Sequence, residues 1–87
     1  MTYVSHAVRS LRADPIPEET VRVVLTLADD AAADAVAREL EGIGAASVRE
    51  LEFGRLLATV DQTDLDAVCE LAGATAVETD AVIDHPS

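Results

Sequence analysis

The sequence predicts an α+β domain, a ferredoxin-like βαββαβ two-layer sandwich in which a four-stranded antiparallel sheet carries two helices on one face. Three features lead there. Between residues 21 and 84, apolar residues alternate with period two in four stretches and recur at helical spacing in two others, and a glycine follows each helical stretch. A helix that is apolar along one stripe must cover something, and two such helices cover one face of the sheet while the other stays open.

Each element has its own justification. Val21, Val23, Leu25 and Leu27 alternate with Arg22, Val24 and Thr26, the pattern of a central strand. Asp29 or Asp30 can cap a helix running to about Glu41, with Ala33, Val36, Ala37 and Leu40 as its buried stripe and Gly42 placed to end it. Residues 46–51 and 55–60 form two short strands about Gly54, a hairpin whose apolar positions are Val48, Leu56, Ala58 and Val60. Asp61 or Thr63 opens a second helix lined by Leu65, Val68, Cys69 and Ala72, and Gly73 is placed to close it. The last strand spans residues 74–82, where Thr75, Val77 and Thr79 alternate with Ala76, Glu78 and Asp80. If Val23, Leu25 and Val77 face the helices, then Arg22, Val24, Thr26, Glu78 and Asp80 face outward, joined by Arg49, Arg55 and Leu57.

Residues 1–20 read as an appendage to a domain spanning residues 21–87. Val4, Ala7, Val8 and Leu11 fall at i, i+3, i+4 and i+7, the spacing of a short amphipathic helix, which is marginal without packing. Asp14-Pro15-Ile16-Pro17 then stops any helix and continues as an extended linker.

Composition narrows the function. The chain has 87 residues, enough for one small core and too few for a deep catalytic cleft. Its 17 acidic residues outweigh 6 basic ones, all arginine, for a net charge of -11. That charge repels phosphate backbones and anionic lipid, which argues against nucleic acid and membrane partners. An acidic, lysine-free, Ala- and Val-rich chain resembles proteins of extreme halophiles, in which dense carboxylates maintain solubility in molar salt. The single cysteine, Cys69, has no partner for a disulfide or a CxxC pair and lies on an apolar helix stripe, so it reads as a core thiol. The first twenty residues hold no signal-peptide pattern and no span-length apolar run, which predicts a cytoplasmic protein. Adjacent Asp84 and His85 lack a third ligand, and Ser5, Ser10 and Ser47 sit in no nucleophile motif. The expectation is a non-enzymatic domain with no metal or cofactor.

The succession VRVVLTLADDAAADAVARELEGIGA, GRLLATVDQTDLDAVCELAG and TAVETDAVIDH resembles the subtilisin propeptide and peptidase inhibitor I9 family over residues 21–85. The most specific part is Leu65-x-x-Val68, followed after a glycine by Val77-Glu78-x-Asp80. The resemblance implies that the open sheet face packs on two surface helices of a subtilisin-like protease. It further implies that Glu78 and Asp80 cap those helices and that Val82, Ile83, Asp84 and His85 enter the substrate groove. No protease domain follows in this chain, so the implied role is that of a separate inhibitor or folding assistant.

Two other readings fit the same fold. One is a small-molecule-sensing module like the ACT domains, although Leu27-Ala28-Asp29-Asp30 places carboxylates where such a site takes an amino acid. The other is a ligand-free homodimerisation or interaction domain anchored through Val24 and Leu57 on the open face, so the chain is expected as monomer or homodimer.

Overall fold

The computed structural model describes residues 3–79. Five strands and three helices follow in the order β1 (Tyr3–Val4), α1 (His6–Ala13), β2 (Thr20–Leu27), α2 (Ala33–Ile43), β3 (Ser47–Leu51), β4 (Arg55–Asp61), α3 (Leu65–Cys69) and β5 (Ala74–Thr79), with a single 3-10 turn, Gln62–Asp64, before α3. The strands form one sheet in the order β1-β5-β2-β4-β3. The α+β class is therefore as expected, and the succession from β2 to β5 is the strand-helix-strand-strand-helix-strand order read from the sequence. Four strands and two helices undercount what is present.

The additions come from the segment expected to stand apart. β1 pairs in parallel with β5, setting Tyr3 against Ala76 and Val4 against Val77, and Ser5 N–H donates to Val77 O at 3.0 Å. Ser5 then caps α1 by accepting the Val8 N–H at 3.3 Å, and Arg12 stands in the last turn, where a cation complements the helix dipole. Val8 is fully buried, and Val4 and Leu11 pack on the same core. Burying a valine side chain is worth about 1.5–3 kcal/mol, which turns a marginal isolated helix into a docked one. The linker after it is held as well: buried Gln62 accepts the Ile16 N–H through Oε1 at 3.0 Å and donates its own backbone N–H to Glu19 O at 2.9 Å.

β2 lies at the centre of the sheet with β4 and β5 antiparallel on either side. Register sets Val23 opposite Ala58, and Leu25 opposite both Leu56 and Val77, so these side chains share one face. All of them belong to a single core with Val8 of α1, Val36 and Leu40 of α2, and Leu65 and Val68 of α3. The three helices thus cover one side of the sheet, and the period-two and helical patterns of the sequence correspond to its two layers.

Helix ends depart from expectation in detail. Gly42 lies within α2, and Gly44, at φ 116°, closes it. Ala45 N–H donates to Leu40 O and Gly44 N–H to Glu41 O, the paired bonds of a Schellman motif, so the left-handed residue had to sit two positions further on. Asp29 and Asp30 occupy the preceding turn, and Ala32 takes the N-cap position with no side-chain bond. The second long helix is shorter than its pattern, ending at Cys69, so buried Leu71 supplies the apolar group assigned to Ala72, which is exposed. Gly73 is not that helix's left-handed cap; it allows a close approach, since a Cβ there would lie 2.8 Å from Val36 Cγ2.

Candidate protein-binding face

The side of the sheet away from the helices is built from alternate residues of all five strands. Its central row runs Glu78, Val24, Leu57, Arg49, because Val24 stands opposite Glu78 on one side and Leu57 on the other, and Leu57 stands opposite Arg49. The next row toward the β3–β4 turn runs Tyr3, Ala76, Thr26, Arg55, Leu51. On the other side of the centre, Arg22 and Ser47 both stand opposite Thr59. Val24 and Leu57 are half-buried by their neighbours, while Arg22, Arg49 and Glu78 are exposed. Two apolar side chains at the middle of a polar rim have the layering of a protein interface.

The sequence-predicted residues divide between this face and the region beyond it. Val24, Leu57 and Glu78 come together in consecutive positions of one row. Asp80, Val82, Ile83, Asp84 and His85 lie outside the described residues. Glu78 faces Val24 across the sheet, and Arg22 is its diagonal neighbour.

Charge is distributed unevenly. Three of the six arginines, Arg22, Arg49 and Arg55, lie on this face, whereas most of the 17 acidic residues lie elsewhere. Arg55 Nε donates to Glu52 O at 3.3 Å, which ties its guanidinium to the hairpin turn. The turn itself carries Phe53 at φ 64° and Gly54 at φ 67°, and the Phe53 side chain is 85% exposed. The sequence reading assigned Phe53 no role; its place before a turn glycine, where Asn or Asp is usual, is the signal that marks it.

The remaining chemistry is remote from the face. Cys69 is buried against α1, and burial pushes its thiol pKa up; Arg12 acts in the opposite direction, while Asp66 and Glu70 add to the rise. Arg12 Nε lies 3.7 Å from Asp66 Oδ1, and with both side chains solvent-accessible this pair contributes about 0–1 kcal/mol at most. Among the described residues, no group of three or more His, Cys, Asp or Glu is placed to hold a metal ion, and no helix is long and apolar enough to cross a membrane.

Comparison with known proteins supplies the frame for this face. No curated protein matches the chain. Among solved structures, a chain of the Clostridium perfringens CspB protease structure is similar at 21% identity, with a TM-score of 0.66 over 98% of this chain and 90% of that one, a likeness of fold. A family model described as "Putative peptidase inhibitor domain" matches residues 3–80, taking in every element from β1 to β5. The first strand and helix fall inside the match together with the rest of the sheet, and the chain belongs to this peptidase inhibitor domain family.

Proposed function

We propose that the protein is a non-catalytic partner of a subtilisin-like serine protease, acting as its inhibitor or folding assistant. Family membership over residues 3–80 carries this reading. The fold likeness to a chain from a protease structure and the open face centred on Val24 and Leu57 support it. In the proposed complex, the open face seats on surface helices of the protease. Glu78 and Asp80 meet their N-termini, where unsatisfied N–H groups make each carboxylate worth about 0.3–1 kcal/mol. Residues 82–85 then extend into the substrate groove; six residues from position 82 onward span roughly 20 Å, enough for several subsites. Blockade is by occupancy, with no covalent step.

The reading is tested by inhibition of a purified subtilisin-like protease in high salt. The expected result is saturable loss of peptide hydrolysis, together with a complex on a sizing column. Val24→Glu, which places a charge at the centre of the face, is expected to weaken inhibition at least about tenfold with the fold retained. Full protease activity in excess of the protein, with no complex, would overturn the proposal.

A further inference from the structure

The β3–β4 turn departs from what folding alone favours. Phe53 is the chain's one phenylalanine, it is 85% exposed, and its φ of 64° is one that a bulky side chain adopts only with strain. Asn or Gly at this position would turn the chain without that strain and without placing an aromatic ring in water. The other aromatic residue, Tyr3, is 56% exposed and lies in the row of the open face nearest the turn, so neither aromatic of the chain is used in its core. Arg55 belongs to the same row and Arg49 to the next. Neither has a carboxylate within ion-pair distance among the described residues, in a chain of net charge -11. Strand β5 runs away from this end of the sheet, from Ala74 beside Leu27 toward Thr79 beside Val23, so β5 ends at the opposite end.

We propose that the hairpin end of the face is a second docking point on the protease, separate from the substrate groove, in which Phe53 fills an apolar pocket rimmed by carboxylates that pair with Arg49 and Arg55. The inference rests on the protease-partner reading and adds to it the chemistry of the partner's surface. Aromatic and arginine side chains are the residue types that dominate binding energy at interfaces, and they do so where water is excluded around them. The arginines oppose the charge of the rest of the molecule. Glu50 and Glu52 flank the same hairpin, so the attraction is local: Arg49 and Arg55 present their charge on the open face, where carboxylates of a partner can pair with them.

Calorimetric titration of the full chain into a purified subtilisin-like protease, with urea unfolding of each variant alongside, separates the two ideas. Failure of the wild-type chain to bind any such protease overturns the underlying reading, and this proposal with it. Against a protease that the wild type binds, Phe53→Asn is expected to lose at least about tenfold in affinity while its urea midpoint stays level or rises, because the strain is relieved. Phe53→Trp is expected to retain most of the affinity. Arg49→Glu with Arg55→Glu is expected to weaken binding and to flatten or reverse its dependence on salt. Unchanged affinity for Phe53→Asn, or a double arginine variant with wild-type affinity and salt dependence, would overturn the second docking point and leave the first intact.

Discussion

A methyl group added at Gly73 would lie 2.8 Å from Val36 Cγ2 and 3.1 Å from Ala31 Cβ, whereas one added at Gly42 would meet nothing within 4 Å. The two glycines look alike in sequence, each following an apolar helical stripe, and only the folded chain separates them. Gly73→Ala is expected to destabilise by about 1–3 kcal/mol through overpacking, and Gly42→Ala, inside a helix, to stabilise by about 0.5–1 kcal/mol. Urea midpoints moving in opposite directions would bear this out; equal shifts would refute it. The Cys69 thiol offers a pH test. Its folded pKa is raised, so its contribution to stability is complete below the unfolded thiol pKa and declines as pH rises through the folded value. Stability of the wild type should therefore fall more steeply above the ordinary thiol range than that of Cys69→Ala, as read from denaturation midpoints across an alkaline series.

Among elements, α1 shows what a sequence carries and what it withholds. Its helical spacing is legible at Val8 and Leu11, although Val4 of the same pattern belongs to β1 and Ala7 is exposed; its docking is not legible, because α3 and β5, on which it packs, lie more than fifty residues further along the chain. The two-residue β1 was invisible for a related reason: a strand that short has no period, and only its pairing with β5 defines it. The β3–β4 hairpin, by contrast, is legible to within a residue at each strand end, since Gly54 and the alternation of Leu56, Ala58 and Val60 are local signals. Of the candidate face, the outward set on β2, β3, β4 and β5 followed from period two alone, while Tyr3 joined it only through β1. Because Ser5 Oγ is the acceptor that caps α1, Ser5→Ala is expected to cost roughly 1 kcal/mol. Hydrogen exchange should show the first turn of α1 opening sooner, with β2 and β4 protected as before.

At the scale of the whole molecule, the N-terminal segment is a structural member of the domain, and the prediction is quantitative. Val8→Ala removes two methyl groups from a fully buried site and is expected to destabilise the entire domain by about 2 kcal/mol, in one cooperative transition. A change within about 0.5 kcal/mol, typical of surface positions, would mean that α1 does not share the core. The strand order has a further consequence. With β1 laid along β5, the outer border of the sheet at Ala76 and Val77 is already occupied, so another chain cannot zip onto it there. At the opposite border, β3 presents the charged pair Arg49 and Glu50, which discourages stacking of like molecules. Tyr3 and Val4 thereby shield the backbone of β5, and deleting them is expected to bare that border for pairing with another strand, read as concentration-dependent self-association in sedimentation.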